Sequence, residues 1–347
     1  MNDSSLRFFK LVRDYLTVFL PTQRAVSSNT IKSYRECLNQ LLNYMCELHM
    51  IKLEKLRFDY FTRNTIEKYL DYLEVDRMCG VSTRNNRLAC IRSFIKYSAS
   101  RDISVQSIAN DLSYIPLKKT TKAAVIKFFS ESALKTILEQ PNPKSKKGLR
   151  DLFFMILMYD TGARNQEILD VQLKDVHFDV NAPYVSVTGK GGKTRLVPVM
   201  AKTVDHFRKY ASIYHSESSP NDFLFYIERK GKRFPMSPDN SERFIRKYGV
   251  EGHQVNSEVP ESLHPHSFRH SRSMHLYRSG MPLVLLAEWL GHTQLSSTQI
   301  YANADTEMKR KAIEKATSDF SPLISGDKKY LEWVDDEALI RQLYGLS

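Results

Sequence analysis

Residues 149–167 read LRDLFFMILMYDTGARNQE, and this stretch decides how the second half of the chain is built. Apolar side chains crowd Leu149 to Tyr159 as one helix; Gly162 then breaks the run, and Arg164 stands where a new helix starts. A glycine there suits a left-handed C-cap, and an arginine beside the free N–H groups of the next helix marks a place that favours an anion. Downstream the period changes. Val185-Ser186-Val187-Thr188 and Leu196-Val197-Pro198-Val199 read as short strands flanking Gly189-Lys190-Gly191-Gly192-Lys193, a hairpin signature. Helical patterns resume at Thr203, Asn240, His266, Pro282, Thr298 and Glu307. The expected fold class is mainly α with a small antiparallel sheet.

Upstream, Ser130-Glu131-Ser132 can cap a helix that carries Leu134, Ile137 and Leu138, and Asn142-Pro143-Lys144-Ser145 breaks it. Residues 115–126 (IPLKKTTKAAVI) have no apolar period and read as an exposed linker. The first 110 residues are helical throughout. Ser27 to Thr30 offer N-caps to one helix, Thr65 opens a second, and Ser82-Thr83 open a third. Lys32, Arg35, Arg84, Arg87, Arg92 and Lys96 lie between the apolar stripes, which predicts basic outer faces. A helical domain over 1–115, a linker over 116–128, a second domain over 129–316 and a tail over 317–347 follow. Within that tail, residues 328–345 suit one more helix, with an acidic flank at Asp335, Asp336 and Glu337.

A chain of 347 residues suits two domains and buries a core without staples. No run approaches the roughly 20 apolar residues of a membrane span, and the opening MNDSSLRFFKLVRDYL lacks the apolar core of a signal peptide. Cys37, Cys46, Cys79 and Cys90 show neither C-x-x-C spacing nor a nearby histidine cluster, so they read as unpaired thiols in a reducing, cytoplasmic compartment. Net charge is +12, with a basic body and an acidic tail: residues 317–347 carry 3 basic and 6 acidic side chains. That balance suits a polyanion, nucleic acid ahead of membrane.

Four clusters carry chemistry. Beside the T-G-A-R turn at 161–164 stands the hairpin tip with Lys190, Lys193 and Arg195. It lacks the G-x-x-x-x-G-K-[ST] spacing of a phosphate loop, and alone it is a polar turn. His264-Pro265-His266-Ser267-Phe268-Arg269-His270 sets His266 and Arg269 on one helix face, where both suit one anion; the arginine argues against zinc. Leu290-Gly291-His292 is followed nine residues later by Tyr301, and a lone tyrosine is ordinarily packing. Together, two Arg, one Lys, two His and one Tyr describe a metal-free phosphoryl-transfer site. Guanidiniums clamp non-bridging oxygens, a phenol attacks phosphorus, a lysine protonates the departing alkoxide and a histidine relays a proton.

The order T-G-A-R, G-K-G-G-K, H-S-F-R-H and L-G-H-x8-Y resembles the tyrosine recombinases, the site-specific recombinases and integrases of the lambda-integrase and Xer type. The resemblance covers about 130 to 316, and more loosely the helical first half. It implies a two-domain DNA clamp, with a helical core-binding domain beside the catalytic one. By it, Arg164 and Arg269 look like the phosphate-clamping arginines and Lys190 like the general acid for the 5′-hydroxyl. His266 looks like the proton-handling histidine, His292 like the His or Trp that hydrogen-bonds the phosphate, and Tyr301 like the nucleophile that forms a 3′-phosphotyrosyl link. His270 reads as packing, and Lys193 and Arg195 as DNA-backbone contacts.

Ser271-Arg272-Ser273-Met274 departs from the best-known members and looks more like recombinases of transposon-borne elements than chromosome-dimer resolvases. The short stretch before the first helices implies a recombinase without a separate arm-binding domain. Integration or excision of a mobile element is expected; dimer resolution by the same chemistry and type IB topoisomerase-like relaxation are the alternatives. Neither metal nor other cofactor is expected. Expected partners are double-stranded DNA with inverted-repeat core sites and a homotetramer, one dimer per site, with the tail docking on a neighbouring subunit or on its own domain. Lys32, Arg35, Arg84 and Arg87 are the expected DNA contacts of the first domain.

Overall fold

The computed structural model describes residues 3–120, 128–189, 191–292, 294–304 and 310. The chain divides into two compact units, Met1–Ala123 and Ala124–Ser347. The tail expected as a docking helix, and the segment at Glu307, lie outside the described residues.

The first unit is helical. It runs α1 (Asp3–Asp14), a π-helical continuation through Gln23, α2 (Ser28–Leu48), α3 (Arg63–Val75), α4 (Val81–Ala99) and α5 (Gln106–Ser113). Ser27 caps α2 by accepting from the Thr30 N–H, as its sequence position suggests. Helix α3, expected to open at Thr65, starts earlier: Thr62 is its cap and accepts from the Thr65 N–H. Gly80, not Ser82, precedes α4. Phe8, Tyr15, Phe61 and Phe94 meet in the core, and the Tyr15 hydroxyl donates to Ser93 at 2.8 Å.

The basic outer face of α4 needs correction. Arg84 is only 5% exposed, and its Nη1 donates to the Pro116 carbonyl at 2.8 Å. Arg92 likewise donates to the carbonyls of Leu112, Ser113 and Ile115, supplying partners that the end of α5 lacks. Lys32 and Arg35 remain exposed, and Arg87 is half-buried.

The second unit begins with α6 (Glu131–Glu139), capped by Ser130, and α7 (Lys146–Thr161), capped by Ser145. After α8 (Asn165–Leu169), the strands β1 (Val176–His177), β2 (Tyr184–Thr188) and β3 (Thr194–Pro198) form an antiparallel sheet in that order. Val185 pairs with Val197, and both are buried, as is Val187. Then come α9 (Ala201–Tyr214), the hairpin β4 (Tyr226–Arg229) and β5 (Lys232–Pro235), α10 (Pro238–Val255), α11 (Pro265–Arg278), α12 (Leu283–Leu290) and α13 (Ser296–Ala304). The β4–β5 hairpin has no apolar alternation to reveal it. Its turn, Lys230-Gly231, holds two positive φ angles, +50° and +72°, as a tight hairpin turn requires.

The apolar run of α7 is the axis of this unit: Phe153 stacks on Tyr210, and Phe154 meets Phe225 and Phe244 edge-on. Among the described residues, no helix is long and apolar enough to cross a membrane.

Candidate active site

Gly162 ends α7 at φ +55°, and a Cβ there would lie 2.5 Å from the Trp289 ring, so backbone and packing both demand glycine. Two residues on, Arg164 caps α8. Its N–H donates to Glu167 Oε2 at 2.9 Å and its Nη1 to Oε1 at 2.7 Å. The same buried carboxylate accepts from Arg195 Nη2 at 2.7 Å, while Arg195 Nε donates to the Trp289 carbonyl at 3.0 Å. Burial opposes the charge on Glu167, but the bonds from Arg195 and Arg164 outweigh it and hold the carboxyl below its ordinary range. Glu167 thus fixes Arg164 to the strand β3 that carries Arg195.

Helix α11 carries Arg269, only 3% exposed, with Nη1 on the Gly162 carbonyl at 2.7 Å and Nη2 on the Leu290 carbonyl at 2.8 Å. Both acceptors stand at helix ends, where carbonyls lack intrahelical partners. Burial first, and the Arg164 charge second, pull the Arg269 guanidinium down to about 10. At pH 7 it stays a cation, held close to a second cation.

Gly291, at φ +66°, turns the chain out of α12 and sets His292 beside Arg269, with Nη2 to Nε2 at 2.9 Å. An arginine only donates, so His292 Nε2 is the acceptor and the ring proton sits on Nδ1, which donates to Thr298 Oγ1 at 2.7 Å. Burial, then Arg269, Arg164 and Arg195, pushes this imidazole down to about 4, so it is neutral at pH 7.

Helix α13 carries both Thr298 and Tyr301. Tyr301 is 1% exposed and packs on Met274, Leu286 and Leu290. Burial raises the phenol's pKa; Ser273, Arg269 and Arg164 pull against it. Its hydroxyl lies 3.1 Å from His270 Nδ1. A cavity of about 380 Å³ opens beside this cluster, with Arg164, Lys193, Arg195, His292 and Glu288 in its lining.

Comparison with known proteins decides the kinship. The model of the phage integrase family matches residues 127–308, and that of the integrase N-terminal SAM-like domain matches residues 14–102. The chain belongs to the phage integrase family. The resemblance to tyrosine recombinases read from the motifs is borne out, as is the mainly helical fold with a small antiparallel sheet. This integrase-family chain is 29% identical to tyrosine recombinase XerD of Staphylococcus saprophyticus, covering 90% of this chain and 98% of the relative. It is 27% identical to tyrosine recombinase XerC of Staphylococcus epidermidis, covering 86% and 95%. In fold it resembles the Tn1549 transposon integrase solved with transposon right-end DNA, at TM-score 0.64 and 15% identity, over 91% of this chain and 99% of that one.

Of the expected site residues in this family member, Arg164, Arg269, His292 and Tyr301 converge. His266 is exposed on the same helix, its ring 6.3 Å from that of His270. Lys193 is exposed at the hairpin, and Lys190 lies outside the described residues. Two residues differ from expectation. Arg195 turns inward onto Glu167 and Trp289, and His270, read as packing, bonds the tyrosine hydroxyl.

No site role was read in advance for three residues: Glu167, Thr298 and Ser273. Glu167 had one local signal, its place three residues after a helix-starting Arg164, where a carboxylate reaches back to the cap. The run Ser271 to Met274 also finds its reason. Ser271 Oγ accepts from the Phe129 N–H, Arg272 pairs with Asp160, Ser273 neighbours Tyr301, and Met274 packs on it.

Proposed function

We propose that this chain cuts and rejoins duplex DNA at specific sites through a 3′-phosphotyrosyl bond at Tyr301. One observation carries the reading: a fully buried phenol shares a cluster with two guanidiniums, Arg164 and Arg269, whose charges reach it. The nearby carboxylate of Glu167 is already paired with arginines. Such a cluster attracts a diester phosphate and stabilises the charge that grows on its non-bridging oxygens. Arg164 and Arg269 clamp those oxygens, and His292 hydrogen-bonds the same phosphate. His266 stands at the rim, where partial desolvation and the Arg269 charge lower its imidazole pKa. Lys190 protonates the departing 5′-oxygen. The phosphotyrosyl link conserves the energy of the broken bond, so religation needs no ATP.

Lys193 touches the DNA backbone beside the scissile phosphate. In the first unit, Lys32, Arg35 and Arg87 contact phosphates. Each unit binds the duplex, four copies assemble on two inverted-repeat sites in the cytoplasm, and strands exchange in pairs through a Holliday junction. Integration or excision of a mobile element is the proposed role.

The test uses random-sequence duplexes incubated with the protein in EDTA, denatured, and captured through covalently attached protein. Wild type yields a recurrent inverted-repeat sequence linked at its 3′-phosphate, and Tyr301→Phe yields none. Adducts surviving in Tyr301→Phe, or none from wild type across the pool, would overturn the reading. Mapping the captured sequence to element ends or to replicon dimer sites separates integration from resolution.

A further inference from the structure

Tyr301 must lose its phenolic proton as it attacks phosphorus, and in the free protein the residue is only 1% exposed. Among the described residues its polar neighbours are His270, through Nδ1 at 3.1 Å, and Ser273. The Ser273 hydroxyl donates to the Arg269 carbonyl at 2.7 Å, and a hydroxyl is no proton sink at neutral pH. The exposed ring of His266 has no hydrogen bond to Tyr301 among the described residues. We infer that His270 is the general base of the cleavage step, its Nδ1 taking the phenolic proton of Tyr301. The inference deepens the reading of Tyr301 as nucleophile and rests on it.

The step balances. The Tyr301 oxygen forms its bond to phosphorus, the proton passes to His270 Nδ1, and the phosphorus–O5′ bond breaks. The electron pair leaves on O5′, which takes its proton from the acid assigned to Lys190. Religation runs the same path backwards, with His270 returning the proton to the phenolate.

The surroundings of His270 suit such a base. The titratable and charged groups that act on it are His266 and Arg269 of its own helix and His264, which caps that helix, and Tyr301 faces it from α13. Burial first, then His266, Arg269 and His264, pushes the imidazole down to about 4 in the free protein. It therefore waits neutral, with a lone pair available. A phosphodiester seated between Arg164 and Arg269 offsets part of that positive charge and raises the basicity of His270 as the nucleophile is needed. Helix α11 thus carries a phosphate clamp at Arg269 and the base one residue later.

The test is single-turnover cleavage of a duplex recovered by covalent capture, with wild type, His270→Ala and His270→Gln compared at saturating protein. Both variants are expected to bind the duplex as wild type does and to form adduct about 10²–10⁴-fold more slowly, the range for loss of a positioned base. Added imidazole is expected to accelerate His270→Ala and not His270→Gln. If His270→Gln cleaves within about threefold of wild type, the side chain merely holds the phenol and the inference fails, while the nucleophile reading stands. If wild type itself forms no adduct, the nucleophile reading fails first. Should either variant fail to fold, ¹⁵N-histidine NMR of wild type against Tyr301→Phe decides. An unprotonated Nδ1 on His270, whose shift moves when the hydroxyl is removed, supports the base; a protonated Nδ1 overturns it.

Discussion

Arg269 donates to Nε2 of His292 at 2.9 Å, and this one bond dictates where the imidazole proton lies. The remaining proton, on Nδ1, points at Thr298 on the helix that carries Tyr301. Arg269, His292 and the helix that carries Tyr301 are therefore tied together.

Thr298→Ala should release His292 from that orientation and slow adduct formation about tenfold, the order of effect when a partner that orients a histidine is lost. Thr298→Ser keeps the hydroxyl and should restore most of the rate. A Thr298→Ser variant as slow as Thr298→Ala would show that the methyl group, and so packing, is what matters. Single-turnover cleavage is the measurement.

Glu167→Gln removes the charge that Arg164 and Arg195 share. Breaking a buried ion pair from one side costs about 3–5 kcal/mol, and a glutamine that still accepts one bond should fall near the lower end. Because the folded carboxyl titrates below its ordinary value, its stabilisation is present above that value and fades as pH falls through the folded one. Chemical denaturation at pH 7 and again near pH 3 should show the variant's deficit shrinking in acid. An equal deficit at both would mean that shape, not charge, is responsible.

His270 and His292 are both depressed to about 4 from an ordinary 6.5. Between those values the unfolded chain holds more protons than the folded one, so stability rises with pH across that window. The melting temperature should climb from pH 4.5 to 7. His292→Trp, which cannot titrate, should make that climb shallower; an unchanged slope would mean that His292 is not held neutral by its surroundings.

Lys32→Ala should weaken binding to duplex DNA and lower the salt slope by roughly 0.9, the loss of one phosphate contact. Arg84→Ala should leave that slope alone and instead lower the melting temperature, because its guanidinium closes on Pro116 inside the first unit. Fluorescence anisotropy over a salt series, paired with thermal melts, tells the two apart.

What could be read in advance was local. Ser27, Ser130 and Gly162 announce helix ends because caps depend on a few neighbouring N–H and C=O groups. The spacing of Arg164, Arg269, His292 and Tyr301 resembled a family because each stands at a turn or helix position that its own neighbours define. The β4–β5 hairpin stayed hidden because its strands are short, charged and largely exposed.

The sequence by itself determined the helices, the turns and the roster of charged and nucleophilic side chains. Only the tertiary structure decided which cations face outward and which are buried. Arg84 and Arg195 look like any basic surface residue until the Pro116 carbonyl and the Glu167 carboxylate come within reach. His270 is one more ring on a helix until α13 brings the Tyr301 hydroxyl to its Nδ1. Partners 28 to 32 residues apart, or on separate helices, are set by how faces pack, and no local period encodes that.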